Sequence, residues 1–348
     1  MRPAQGLANS AKEVFRKILL FVRQPAPPAK ERSARYPNFD ILRLLLAVEV
    51  AFVHAWATVE PNFNWNPYIM AVPAFLSISG FLVLQSYAES GSWGVFLRKR
   101  ALRILPALLV SLALCLVLFD LRAAYNSFLN WITGGIYTLP GIANGPLWSL
   151  AWEEIAYLLL AALWTMGAYK RPFTIWALLT FSLCICWASV GLDPHTRIIL
   201  FLGPAFFTGN LMYLYREALL RVHPVVPWIF FYIMLQWRFV PDANLLGGAS
   251  LLLVQAFAVV WVGMAGVRII PFKMPDLSYG IYIYHMPIIL FLFTKFNIIT
   301  LPSMLMLLSA SIIPFSLASW YLVEKPALRL KRAKSAEPRG LSTAITPR

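Results

Sequence analysis

Apolar runs of about twenty residues recur along this chain from Phe39 to Val323, and that recurrence limits what it can fold into. A run of that length crosses the hydrocarbon of a bilayer as a helix. Only helices and closed barrels satisfy their own backbone hydrogen bonds there. A barrel would alternate apolar and polar residues instead of writing long apolar blocks. Charged residues make up 13% of the 348, about half the ordinary share of a soluble chain. The sequence therefore predicts an all-α, polytopic membrane protein. We read ten spans, at about 39–59, 67–87, 103–120, 147–168, 173–191, 197–215, 225–240, 245–266, 277–296 and 302–323.

The net charge of +15 raises the question of a nucleic-acid partner, and its distribution argues against one. With both termini cytoplasmic, 26 of the 30 Lys and Arg residues fall on the cytoplasmic side. That is the positive-inside asymmetry of membrane insertion. It places Arg43 and the cluster Arg98-Lys99-Arg100-Ala-Leu-Arg103 at the cytoplasmic face and the longest connection, Leu121 to Pro146, outside. Residues 1–36 read as a basic cytoplasmic segment. Within it Val14, Phe15, Ile18, Leu19 and Val22, with Lys12, Arg16, Lys17 and Arg23, suit a short interfacial amphipathic helix. Residues 37–330 read as the transmembrane domain and 331–348 as a basic cytoplasmic tail. No internal repeat and no appended soluble domain are legible. Cys115, Cys184 and Cys186 lie in apolar runs and read as buried small hydrophobes. Their spacing suits neither a metal site nor a disulfide framework.

Inside the first span stand Arg43 and His54, eleven residues apart. A charged and a titratable residue in hydrocarbon are costly and default to a functional reading. Eleven helical steps make roughly three turns with ~20° left over and a rise of ~16 Å. Both side chains should share one face, with Arg43 near one surface and His54 deep in the span. Glu49 lies ~120–140° off that face and should pair elsewhere or be protonated.

His285, in Tyr282-Ile-Tyr284-His285-Met-Pro287, is the second intramembrane histidine. Either imidazole suits a general base, and either also suits a plain interhelical hydrogen bond. His195 and His223 read as solvated loop residues. Arg98, Arg100 and Arg103 are accounted for by membrane anchoring alone. Arg100 and Arg103 are also three apart and suit a clamp on one phosphate group of a cytosolic ligand. Trp148-Ser149-Leu150-Ala-Trp152-Glu153-Glu154 pairs two acids with an aromatic wall, and adjacent acids cannot share a helix face. Gly80 reads as a close helix-packing position.

Taken in order, these segments resemble the membrane acyltransferase-3 family, the transmembrane acyltransferases of O-antigen and exopolysaccharide modification. Arg43 with ten residues to His54 is similar to the family's Arg-x10-His signature, and Ser79-Gly80-Phe81-Leu82 to its Ser-Gly-Phe-Leu. Arg100-Ala-Leu-Arg103-Ile-Leu-Pro106 resembles its Arg-x-x-Arg-Ile-x-Pro, and Leu147-Trp148-Ser149-Leu150-Ala-Trp-Glu153-Glu154 its Leu-Trp-Ser-Leu-x-x-Glu-Glu. Ser278-Tyr279-Gly-Ile-Tyr282-Ile-Tyr284-His285-Met-Pro287 and Ser319-(four residues)-Glu324-Lys-Pro326 resemble its closing motifs.

The resemblance implies an O-acyltransferase of the bacterial inner membrane that moves an acyl group, most often acetyl, from cytosolic acyl-CoA to a carbohydrate hydroxyl. The acceptor would be exported or lipid-linked. Arg43, His54 and Glu153 would be the catalytic residues, Arg100, Arg103 and Arg98 the CoA-binding residues, and His285, Tyr282, Ser149 and Trp148 further candidates. No resident cofactor or metal is expected, and the partners are acyl-CoA, the carbohydrate and membrane lipid. Direct transfer and an acyl-histidine intermediate stay open. A transporter or flippase for a sugar or lipid-linked sugar is the alternative reading, since intramembrane Arg, His and Glu also suit a translocation path.

Overall fold

The structure, a computed structural model, describes Tyr36, Asn62 and residues 38–60, 70–90, 92–137, 139–189, 191–237, 249–267 and 275–333. The N-terminal amphipathic segment, most of the basic tail, and Arg238, Arg268 and Lys273 lie outside the described residues. Within them the chain is helical: α1 (Asn38–Val59), α2 (Ala71–Ser90), α3 (Trp93–Leu118), α4 (Leu121–Ile132), α5 (Trp148–Thr165), α6 (Pro172–Ala188), α7 (Pro194–Leu214), α8 (Arg216–Leu219), α9 (Val226–Trp237), α10 (Ala249–Ala265), α11 (Ser278–Phe296), α12 (Leu301–Ser319) and α13 (Lys325–Ala333).

Each of the ten apolar segments carries a helix. Among the described residues, seven are long and apolar enough to cross a membrane, while α6, α9 and α10 are shorter apolar helices. Local chemistry sets several ends. Asp120 and Asp193 accept from the backbone N–H of Ala123 and Thr196 at 2.7 and 3.0 Å, capping α4 and α7. Proline opens α6, α7 and α12, where a missing N–H costs nothing. Two helices depart from expectation. α3 begins at Trp93 after the capping Ser92, so the whole Arg98–Arg103 cluster is helical. The expected outer loop contains α4, whose Asn126, Ser127 and Asn130 are buried while Leu121, Tyr125, Phe128 and Ile132 are exposed. That inverted amphipathicity suits a helix lying in the membrane interface with its apolar face toward lipid.

α11 is the centre of the bundle. From Ser278 to Leu292 nearly every residue is buried, against α1, α3 and α12. Its Pro287 has no N–H to give the Ile283 carbonyl. Asn144, in the segment before α5, supplies that donor through Nδ2 at 2.8 Å. Pro204 likewise frees the Leu200 carbonyl, to which the Cys186 thiol donates at 3.3 Å. Cys115 is buried as expected, whereas Cys184 is exposed on α6. Its helix position turns it away from neighbouring helices, which apolar surroundings in the sequence did not reveal.

α2 and α7 cross so closely that a Cβ on Gly209 would overlap the Ser77 carbonyl, and one on Gly80 the Phe206 carbonyl. Close approach of helix backbones through small residues replaces the hydrophobic drive that lipid cannot supply. Gly209→Ala is therefore expected to cost about 1–3 kcal/mol, read as a lower yield of monodisperse protein in detergent. Wild-type yield would show that the crossing has slack.

Candidate functional site

Four charged residues from separate elements meet where α1 begins. Arg103 of α3 donates through Nη2 to Asp276 Oδ2 at 2.5 Å, and Arg43 Nη1 stands 3.6 Å from the same oxygen. The Ser278 hydroxyl donates to the other carboxylate oxygen at 2.6 Å. Burial by itself raises the Asp276 carboxyl, but Arg103, Arg43 and Ser278 overcome it and hold the group well below the usual carboxylate range. Glu324, 2% exposed, closes the π-helical turn after α12 and accepts from Ser319 Oγ at 3.2 Å. The Tyr279 ring lies 5.8 Å from the Arg103 guanidinium. The network thus ties α1, α3, α11 and α12 together.

Deeper along α1, Arg43 opens onto a small chamber of about 60 Å³, lined also by Ser79, Ser149, Glu153, Tyr279 and Tyr282. Glu153 accepts from the Ser79 hydroxyl at 2.5 Å and from the Tyr157 hydroxyl one helical turn on. Glu154, its neighbour, turns toward Trp131 of α4. As expected of adjacent helical acids, one faces inward and the other does not.

A second cavity, of about 320 Å³, follows on the far side of Tyr282 and Val72, which line both spaces. His54, Glu49, Trp148 and His195 face it. The Tyr282 hydroxyl is pinned between Ser149 Oγ at 2.5 Å and the Pro146 carbonyl at 3.0 Å. His54 stands beside His285, Nδ1 to Nε2 at 3.3 Å, with ring centroids 5.1 Å apart. Trp148 and His195 meet edge to face at 5.0 Å. The two spaces together form an interrupted polar path along α1, cationic at one end and imidazole-lined at the other.

The sequence-read candidates distribute unevenly. Arg43 and His54 both face the segment that enters and forms α11. Arg100 and Arg103 diverge. Arg100 lies over Phe96 and Tyr157, at 5.7 and 5.5 Å, on the α5 side, while Arg103 is committed to Asp276 on the α11 side. Arg98 reaches the Leu330 carbonyl of α13 at 3.3 Å. His195, read as a solvated loop residue, sits in the first turn of α7 and lines the His54 cavity. Glu49 also lines it, because residues 49, 50, 53 and 54 form two adjacent rows on one helix. Asp276 escaped the sequence reading. It lies between two apolar runs, two residues before the Ser278 motif.

A family model described as an acyltransferase domain matches residues 36–324. Nodulation protein 10 of Rhizobium leguminosarum bv. viciae is 27% identical over 91% of this chain and 100% of its own length. An O-acetyl transferase of Shigella phage Sf6 is 28% identical over 82% of this chain and 94% of its own. No solved structure matches. The matched region contains every helix that lines the two spaces, together with Arg43, His54, Glu153 and His285, and the chain is a member of the acyltransferase-3 family of membrane proteins.

Proposed function

We propose that this protein transfers an acyl group, acetyl foremost, from cytosolic acyl-CoA to a hydroxyl of a carbohydrate at the bacterial inner membrane. In that reading the chain crosses the membrane ten times and keeps both termini in the cytoplasm. The observation that carries the reading is the pair of spaces meeting at Tyr282, with Arg43 at one and His54 at the other. A donor entering from the basic end needs cations for its phosphates. Arg100, with Arg98 and Lys99 beside it, supplies them as charge-assisted donors. Arg103 is taken up by Asp276 and serves by holding the entrance together.

The acyl end would extend past Arg43 and Glu153 toward Tyr282. The acceptor would occupy the wider cavity, where Trp148 offers a ring face and Glu49 and His195 offer polar atoms to hydroxyls. His54 then takes the proton of the attacking hydroxyl, which makes the oxygen a competent nucleophile toward the thioester. The larger cavity, of about 320 Å³, is the one with room for a sugar ring.

The test is direct. Membranes containing the protein, supplied with radiolabelled acetyl-CoA, should place label on extracted glycan. Detergent-solubilised protein should melt at higher temperature with CoA present, since a bound ligand stabilises the fold by mass action. Absence of both signals, with sugar uptake into vesicles instead, would establish the transporter.

A further inference from the structure

The two intramembrane histidines touch, and their hydrogen bonds fix where each proton sits. His54 Nδ1 lies 2.8 Å from the Val50 carbonyl, one turn back on α1. His285 Nδ1 lies 2.7 Å from the Tyr282 carbonyl and 3.2 Å from that of Ile281, one turn back on α11. A carbonyl oxygen only accepts, so in both rings Nδ1 carries the hydrogen. His285 Nε2 is then a lone pair. It faces His54 Nδ1 at 3.3 Å, and that N–H forks between Val50 and His285. One basic atom remains in the pair that faces the cavity, His54 Nε2.

We infer that His285 is a positioning residue. It holds the His54 ring in the tautomer that presents Nε2 to the acceptor, and it receives the charge that develops on Nδ1–H. This rests on the acyl-transfer reading above. In the step, the acceptor O–H bond breaks and its proton passes to His54 Nε2. The oxygen bonds the thioester carbon, the C–S bond breaks, and His54 returns the proton to the leaving sulfur. Both rings end as they began. During the step the imidazolium of His54 donates from Nδ1 to two acceptors. The arrangement has the logic of a nucleophile–base–orienter chain, with a neutral imidazole where a carboxylate often stands. That choice fits its surroundings. His285 is 0% exposed, and burying a neutral hydrogen-bonded ring costs far less than burying an unpaired carboxylate.

The neighbouring structure holds the pair in register. Pro287, two residues after His285, would leave the Ile283 carbonyl bare. Asn144 fills it and clamps the same stretch of α11 from the α5 side. The Tyr282 hydroxyl is fixed at Ser149 and Pro146. His285 therefore follows directly on a short stretch of α11, Tyr282 and Ile283, that the segment from Asn144 to Ser149 anchors.

Three variants and one spectrum test this. His285→Gln keeps an acceptor atom near the position of Nε2, and His285→Phe keeps the ring volume without one. His285→Phe should lower kcat roughly 10- to 100-fold, the usual loss when a partner that orients a reacting imidazole is removed. Donor and acceptor KM should stay within about twofold. His285→Gln should recover most of kcat. A packing role predicts the opposite order, because Phe is the better filler of a buried apolar site. Equal kcat in wild type and His285→Phe, or a Gln variant as slow as Phe, overturns the proposal.

Should the variants fold poorly, ¹⁵N spectra of histidine-labelled wild-type protein decide. Both rings should show the Nδ1–H tautomer, and an Nε2–H tautomer at His54 overturns the assignment. Full activity in His54→Ala would overturn the acyl-transfer role of His54 itself. The tautomer spectrum tests the histidine pair whatever that variant does.

Discussion

His54→Ala is expected to cut acyl transfer by about 10²- to 10⁴-fold, the span that a positioned general base contributes. The loss should fall on kcat. His54 lines the wide cavity, while Arg100, Arg98 and Lys99 lie at the opposite end of the path. Donor binding, read as the thermal shift with CoA, should therefore match wild type. The fold should also survive. The His54 ring is only part-buried, and its Nδ1 bond to Val50 is local to α1. Removing it leaves His285 without its cross-helix donor, but His285 keeps the Tyr282 carbonyl. The assay is radiolabelled acetyl-CoA with membranes and extracted glycan. Full transfer by the alanine variant would remove His54 from the chemistry. Loss of transfer together with loss of the CoA response would instead mean that the path had collapsed.

Much of this architecture was legible because a bilayer imposes one length on everything that crosses it. All ten apolar runs carry a helix, seven of them among the described residues long and apolar enough to cross a membrane, and departures gather where the length rule does not reach. α3 starts ten residues before its apolar run, because its basic side chains find partners in the fold, Arg98 at the Leu330 carbonyl, Lys99 at Ser90 and Arg103 at Asp276, while their backbone stays helical. α4 was hidden, since its outward Leu121, Tyr125, Phe128 and Ile132 alternate with Asn126, Ser127 and Asn130, and an average over the segment shows neither face.

The site divides in the same way. Arg43 and His54 stood out because polar residues in hydrocarbon are expensive. Which residues they meet did not, since His285 is 231 residues from His54 and joins it only through helix packing. Spacing placed Arg100 and Arg103 near each other. It could not show that Tyr157 lies beside one and Asp276 beside the other.

Asp276→Asn is expected to be the most damaging single change at the cationic end, by about 3–5 kcal/mol, because it strands Arg103 in a site where little water reaches. The Arg103 and Asp276 side chains are 15% and 19% exposed, so screening by solvent relieves little of this. Arg43, at 25% and 3.6 Å, would lose a partner as well. The measurable result is a fall in monodisperse protein and in melting temperature in detergent.

Acid should not reproduce this effect until far below neutral pH. A carboxyl whose folded pKa is depressed contributes its stability above the unfolded value, near 4. It loses that stability only as pH falls through the folded one, which for Asp276 lies well below the usual range. Wild-type protein should therefore keep this contribution at about pH 5, and the Asn variant should be weak at every pH.

Arg103→Ala separates two roles. An arginine that binds CoA phosphate would fold normally and raise the donor KM. One that neutralises Asp276 would lower the folded yield, and its loss should be largely relieved in Arg103→Met/Asp276→Leu, because replacing both members of a buried pair by apolar residues is often near neutral. The 2.5 Å bond to Asp276 and the Tyr279 ring beside the guanidinium favour the second outcome. Normal folding of Arg103→Ala with a raised donor KM would return Arg103 to the donor site and leave Asp276 to Arg43.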